Sequence, residues 1–298
     1  PQDGSGMVSA EQILVASAAI EDSVPEVSRA NELGCLRLTR AELNSILFNT
    51  SGAGLAVAGT SGKSTVTGML GWILHACGRE PTIMNGAVMK NFVSPERPFA
   101  SAVIGGQSLY VSEVDESDGS IALYRPAVGV LLNVSLDHKS MEELRHLFGE
   151  FVLRADVAVV NFDDEDAEFL ARRCKKVISF GIDNHKATFG IEPGTIFESE
   201  TETDAILVDR RKDVGHSLRL PMPGRHNLEN ALAAVSAAVA AGIPVHDAAM
   251  ALSAFKGLAR RFDVIGTSES GVTVIDDFGH NPEKARATLR TLKAQEGR

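Results

Sequence analysis

The chain has 298 residues, with 29 lysines and arginines against 39 aspartates and glutamates, a net charge of −10 and a pI near 5.3. At about 150 residues per domain the length suits two domains, and the acidic balance excludes a nonspecific nucleic-acid binder, which needs a basic stripe to displace counterions. With 44% hydrophobic and 23% charged residues the chain has the material for a core, so wholesale disorder is also excluded.

No apolar run reaches the roughly 18 to 20 residues of a membrane span, and no basic stretch followed by an apolar one opens the chain. Three cysteines, Cys35, Cys77 and Cys174, form no CxxC pair and imply neither a disulfide framework nor a zinc site. These features lead to the expectation of a soluble, cytoplasmic protein.

In chain order, short apolar runs predict strands at Ile13–Ala16, Leu55–Ala58, Leu109–Glu113, Val128–Leu132, Val157–Asn161, Val177–Phe180 and Val272–Ile275. Helical patterns alternate with them. After Lys63, apolar residues recur at Val66, Met69, Leu70, Ile73, Leu74 and Cys77. Further on, Met141, Leu144, Leu147, Phe148 and Phe151 make a second apolar face. The Ala-rich stretch Asn230–Ala241 predicts a third helix, stopped by Gly242 and Pro244. Alternation of this kind predicts an α/β fold with a largely parallel sheet. The stretch Ile191–Arg219, rich in Glu, Thr and Asp, reads as an antiparallel excursion ending at the PMPG turn. Domain boundaries are expected near Asn49–Ala53 and Gly257–Ala259.

Three segments carry chemistry. In LAVAGTSGKST, residues 55 to 65, a buried strand runs through Gly59, Thr60, Ser61 and Gly62 into a helix opened by Lys63, Ser64 and Thr65. A glycine-rich turn of this type aims backbone N–H groups at one point, and the helix N-terminus adds partial positive charge. Lys63 is placed to neutralise phosphates, and the Ser64 hydroxyl to take a Mg²⁺ position. The general formula G-x-x-x-x-G-K-[ST] puts a glycine where Val57 stands, so the turn is a tighter variant. A plain strand-to-helix turn that happens to contain lysine is the alternative; the strand and helix flanking the turn favour phosphate binding.

Glu113, Asp115, Glu116 and Asp118 cluster at the end of another strand, where ligands of open α/β sheets gather. They form either a solvated acidic loop or, beside a phosphate loop, part of a metal site. Asn133-Val-Ser-Leu-Asp-His138 ends a third strand, with His138 as a second metal ligand or metal-orienting group, or as a structural histidine.

The motifs AGTSGKST, SEVDESDGS, NVSLDH, PGRHNLENALAA, LARRF and VIDDFGHNP occur in the order found in the Mur ligases, and nearly the whole chain resembles that family. These are ATP-dependent amide ligases that build the peptide stem of cell-wall precursors. The similarity is greatest to the members that act on UDP-N-acetylmuramate itself, adding L-alanine or a recycled tripeptide.

The resemblance implies three parts. Residues 1–50 would close an N-terminal UDP-sugar domain, residues 51–259 would form the central P-loop ATPase domain, and residues 260–298 would begin a C-terminal Rossmann-like domain. It implies ATP and Mg²⁺ as cofactors, with a UDP-N-acetylmuramate-like substrate and an amino acid as partners; monomer and homodimer stay open. Lys63, Glu113, His138 and Arg261 correspond to catalytic positions, and Ser64, Glu113 and His138 to metal positions. Asn227 and Asn230 correspond to positions facing adenine, with helix capping by Asn as the alternative. Arg261 corresponds to an arginine on ATP, and Asp277 to an aspartate near the ribose and hinge, with His280 close by. For Arg260 no role beyond surface packing is expected.

Three departures concern the acceptor. Ser61 stands where alanine-adding members usually carry His, Asn281 stands where a second His is common, and the loop after His138 is short. Arg145 lies near the place of the carbamylated lysine of some members, so no such modification is expected. Folylpolyglutamate-type or cyanophycin-type ligases remain alternatives, as does a catalytically silent nucleotide-binding subunit.

Overall fold

The computed structural model describes residues 3–17, 19–137, 139–279 and 282–293. The chain divides into two units, Pro1–Thr50 and Ser51–Arg298. In the first, β1 (Ile13–Ala16) and β2 (Leu36–Thr39) pair in parallel, with Ile13 opposite Leu36. The helix α1 (Pro25–Leu33) connects them, starting on Pro25 and closing on Gly34 in the left-handed region. The helix α2 (Arg40–Asn49) opens with a capping box. Thr39 Oγ1 accepts from the Glu42 N–H at 3.1 Å, and the Glu42 carboxylate accepts from the Thr39 N–H at 2.7 Å.

The second unit is built on an eleven-stranded sheet. Its elements run β3 (Ala53–Ala58), α3 (Lys63–Ala76), β4 (Thr82–Met84), β5 (Ala102–Val103), β6 (Leu109–Glu113), β7 (Val128–Leu131), α4 (Met141–Arg154), β8 (Val157–Asn161), α5 (Glu165–Ala171), β9 (Val177–Phe180) and β10 (Phe189–Ile191). There follow β11 (Phe197–Glu198), β12 (Thr203–Asp209), β13 (Val214–Leu220), α6 (Arg225–Ala240), α7 (Val245–Leu252), β14 (Asp263–Thr267), β15 (Thr273–Asp276) and α8 (Pro282–Lys293).

The spatial order β4-β6-β3-β7-β8-β9-β10 is parallel throughout. Antiparallel β5 flanks one side, and β11, β12 and β13 the other. The α/β class and parallel centre match the expectation, and the predicted antiparallel excursion is the β11–β13 margin. The strand order reverses at β3, whose neighbours are β6 and β7, and this places a crevice at its C-terminal end.

The central strands are buried on both faces, as continuous apolar runs require. On one face α3 lies against α6 and α7. Glycines let α3 pack closely on its other neighbours: a Cβ on Gly71 would sit 2.6 Å from Ile83 Cδ1 of β4, and one on Gly68 2.8 Å from Cδ2 of Leu258, which follows α7. On α6, Ala231, Ala233, Ala234, Ala237 and Ala238 are fully buried. On the other face α4 buries Leu144, Phe148, Phe151 and Val152, opened by a Ser140–Glu143 capping box.

Several boundaries differ from the sequence expectation: β3 starts two residues earlier, at Ala53, β7 ends at Leu131 and α6 at Ala240. The helix α6 begins at Arg225, five residues before Asn230, because Gly224 (φ 102°, ψ 130°) turns the chain directly into a polar first turn that carries no apolar period. The last strand runs Thr273–Asp276, one residue later than expected, paired with β14, which has too little alternation to be visible in the sequence. The short strands β2, β4, β5, β10 and β11 escaped prediction for the same reason.

Candidate functional site

A cavity of about 480 Å³ opens at the C-terminal end of β3. Its floor is the glycine-rich turn between β3 and α3. Gly62 has φ 89° and serves as the N-cap of α3, a conformation that favours glycine. A Cβ there would lie 2.6 Å from Asn230 Oδ1, so the turn runs directly beneath α6. The loop after β7 holds the turn in place. The Thr60 N–H donates to the Asn133 carbonyl at 3.2 Å, and the Ser61 N–H to Asn133 Oδ1 at 2.8 Å. Asn133 Nδ2 returns a bond to the Ser61 carbonyl at 3.1 Å, and the Ser135 N–H donates to Thr60 Oγ1 at 3.0 Å. Among the described residues Ser61 Oγ is buried without a hydrogen-bond partner, and Ser61 lines the cavity.

The first turn of α3 faces the acidic end of β6. Lys63 Nζ lies 2.7 Å from Glu116 Oε2, and Ser64 Oγ donates to Glu113 Oε2 at 2.8 Å. Asn85 Nδ2 fixes the Ser64 carbonyl at 3.0 Å. Burial pushes the Glu113 carboxyl above the usual carboxylate range, against the pull of Ser64, Lys63, the Gly86 N–H and Arg261. The rest of the acidic run folds back on itself: Asp115 accepts from the Ser117 N–H at 2.9 Å and Asp118 from the Ser120 N–H at 2.8 Å.

From residue 260 onward the chain closes another side. Arg261 Nη2 reaches Ser64 Oγ at 3.3 Å, and its guanidinium lies over the Phe278 ring, 5.1 Å from the centroid. Asp277 lines the cavity while accepting from the Phe262 and Gly279 N–H groups, both at 2.8 Å. Lys90 forms an ion pair with Asp263. Arg260, expected only to pack at the surface, also stacks on Phe278 at 5.0 Å and lies 3.6 Å from Asp276.

The helix α6 contributes His226, Asn227, Glu229 and Asn230. Asn227 does not cap the helix; its Nδ2 donates to the Pro223 carbonyl at 2.7 Å. Burial lowers the His226 pKa, opposed by Asp277. Glu229, hydrogen-bonded by the Asn161 amide, is pushed up to about 7, first by burial.

Of the residues singled out in the sequence, Thr60, Ser61, Gly62, Lys63, Ser64, Thr65, Glu113, Asn227, Asn230, Arg261 and Asp277 all line this one cavity. Gly59 (φ 138°) begins the turn, with Leu132 Cβ 2.9 Å from where its own Cβ would be. His138, His280 and Asn281 lie outside the described residues. Sequence reasoning missed Glu116 as the partner of Lys63, Asn133 as the clamp on the turn, Phe278 beneath Arg261, and Glu229. Glu116 left a signal as one member of the acidic run, and Asn133 as the first residue of the segment that ends at His138.

The Ser64 hydroxyl and Glu113 carboxylate are hard oxygen donors of the type that hold Mg²⁺ alongside phosphate oxygens and water. Among the described residues no group of three His, Cys, Asp or Glu is placed to hold a metal by itself. With Lys63 and Arg261 beside them, a loop of backbone N–H groups and an unpartnered Ser61 hydroxyl, the residues present fit a magnesium-bound nucleotide.

Comparison with known proteins identifies the family. Residues 57–238 match the model of the Mur ligase middle domain, and residues 260–298 that of the Mur ligase glutamate ligase domain. The UDP-N-acetylmuramate–L-alanine ligase of Lachnospira eligens is 33% identical over 297 residues, covering 97% of this chain and 63% of its own length. That of Nitratidesulfovibrio vulgaris is 35% identical over 301 residues, covering 98% and 63%. Among solved structures, the UDP-N-acetylmuramate-alanine ligase of Thermotoga maritima superposes with a TM-score of 0.81 at 27% identity, covering 94% of this chain and 63% of the other. A murein peptide ligase from Psychrobacter arcticus shares the fold, with a TM-score of 0.77 at 24% identity over 95% and 63%. The chain thus spans less than two thirds of the length of these relatives.

Proposed function

The chain belongs to the Mur ligase family, and on that premise we propose that it is the nucleotide-binding part of a cytoplasmic, ADP-forming amide ligase of peptidoglycan precursor synthesis. It joins an amino acid, L-alanine in the first instance, to the carboxylate of UDP-N-acetylmuramate. The observation that carries the reading is the convergence of Lys63, Ser64, Glu113 and Arg261 on the phosphate-loop turn at the strand-order switch. The division into 1–50, 51–259 and 260–298 forms part of the proposal.

In the proposed reaction the substrate carboxylate attacks the γ-phosphate of ATP, giving an acyl phosphate and ADP. The amine then attacks the acyl carbon and phosphate leaves. Phosphoryl transfer of this type depends on positioning and charge neutralisation. Backbone N–H groups of the turn and Lys63 bind the phosphates, while Arg261, supported on Phe278, adds a second cation from the segment that follows residue 260. Ser64 and Glu113 would hold Mg²⁺, with His138 as a further ligand; when bound, the ion supplies charge neutralisation at the phosphate oxygens. Asn227 and Asn230 face the base, and Asp277 the ribose and hinge.

Ser61, in place of the usual His of alanine-adding members, favours keeping the tripeptide-adding reaction as the second reading. Phosphate release by the natural full-length protein with ATP, Mg²⁺ and UDP-N-acetylmuramate, across a panel of amino acids and short peptides, tests both. Release with L-alanine alone is the expected result, and release with a tripeptide alone moves the assignment to the second reading. Silence across the panel overturns the substrate.

A further inference from the structure

The acidic run that begins at the end of β6 delivers to the cavity a half-buried carboxylate, Glu113, and a buried one, Glu116, and they meet different partners. Glu113 accepts from Ser64, whereas Glu116 is paired with Lys63 at 2.7 Å, its side chain 5% exposed and that of the lysine 18%. The ammonium that a phosphate loop offers to anions is therefore already matched by a carboxylate of the same chain. A phosphate that takes Lys63 strands the Glu116 charge in a site largely removed from water, where an unpaired carboxylate is strongly unfavourable.

The surroundings supply little relief. Among the described residues, six acidic side chains line the cavity, those of Glu113, Asp115, Glu116, Asp137, Glu229 and Asp277; with Glu229 retaining a proton, the other five still outnumber the two permanent cations, Lys63 and Arg261. Arg261 is engaged with Ser64 and Phe278, and burial favours the neutral form of His226. A bare triphosphate adds up to four negative charges to this field. A divalent cation arriving with it offsets both the phosphates and the freed carboxylate.

We propose that Glu116 is a specificity-determining residue that reserves the cavity for the metal-bound nucleotide, holding Lys63 until a phosphate takes it and then opposing any polyphosphate that lacks a divalent cation. This rests on the nucleotide-site reading above. It extends that reading by assigning the metal dependence of binding, as distinct from that of chemistry, to a carboxylate outside the Ser64–Glu113 pair.

The test is calorimetric titration of ATP into the wild-type protein and Glu116→Gln, each in excess EDTA and in excess Mg²⁺. The wild-type protein is expected to bind ATP at least about tenfold more weakly in EDTA, and Glu116→Gln to tighten metal-free binding by about tenfold, the equivalent of one removed like-charge contact. A merely structural role for Glu116 weakens binding in both buffers, so unchanged or weaker metal-free binding by the variant overturns the proposal. Equal wild-type affinity with and without Mg²⁺ overturns it too, with no variant required. Wild-type protein that binds ATP in neither buffer overturns the nucleotide site itself.

Discussion

At the wall of the cavity formed by the glycine-rich turn, half-buried Glu113 and buried Glu116 lie within reach of Ser64, Lys63 and Arg261. On the α6 wall, half-buried Glu229 has the neutral amide of Asn161 as its hydrogen-bond partner, and Asp163 and Asp164 add negative charge while Arg225 opposes them. Burial pushes Glu113 and Glu229 upward alike. The first wall surrounds its carboxylates with groups that can be exchanged for phosphate and metal, whereas the second accommodates its carboxyl by retaining a proton. Burial of an acid is thus not in itself a mark of ion binding; the mark is an exchangeable cation beside it.

The largest expected effect comes from breaking the first wall. Lys63→Ala strands Glu116 and should cost about 3 kcal/mol of folding stability, together with nearly all ATP turnover. The double variant Lys63→Ala/Glu116→Gln should recover most of that stability and none of the turnover. Urea unfolding curves beside a phosphate-release assay check this, and a double variant as unstable as the single one refutes the pairing.

The second wall is tested by pH. With its pKa raised from 4.5 to about 7 in the folded protein, Glu229 contributes stability that is fully present below pH 4.5 and lost as pH rises through 7. Glu229→Gln, neutral throughout, should therefore be more stable than wild type by roughly 1–3 kcal/mol at pH 8 and little changed at pH 5. Melting temperatures at the two pH values decide it; an equal difference at both sinks the assignment.

The smallest effect concerns the support of Arg261. Phe278→Ala removes the ring beneath the guanidinium, a contact worth about 0.5–1 kcal/mol at a partly exposed site. Nucleotide affinity should fall by about two- to fivefold, and Phe278→Tyr should retain it. Titration of ATP with Mg²⁺ into both variants provides the comparison, and equal loss in the two rules out the stacking role.

Much of this site was legible in the chain because its parts are local. The apolar runs at Leu55–Ala58 and Leu109–Glu113, the helical period after Lys63 and the glycines before it need only neighbouring residues to acquire their conformations. Ser64 and the acidic run could be joined as one site because both lie at the C-terminal edge of a parallel sheet, and the family resemblance singled out Glu113 from that run.

The early start of α6 was hidden because its first turn is polar, and the role of Asn227 because an asparagine near a helix start reads as a cap. Here Asn227 donates to the Pro223 carbonyl. Glu229 sits in an Ala-rich helix with no neighbour in sequence to mark it; Asn161, its partner, is 68 positions away.

By itself the sequence determined the central strands and the helices after Lys63 and Ser140, the α/β class, the glycine-rich turn and the family, since backbone propensity, hydrophobic period and motif order are properties of short segments. Only the tertiary structure decided which acid meets which cation. Glu116 rather than Asp115 or Asp118 reaches Lys63, and Arg261 crosses 197 positions to meet Ser64. Those choices depend on where strands and helices are brought together in three dimensions, and on how much water is excluded when they meet.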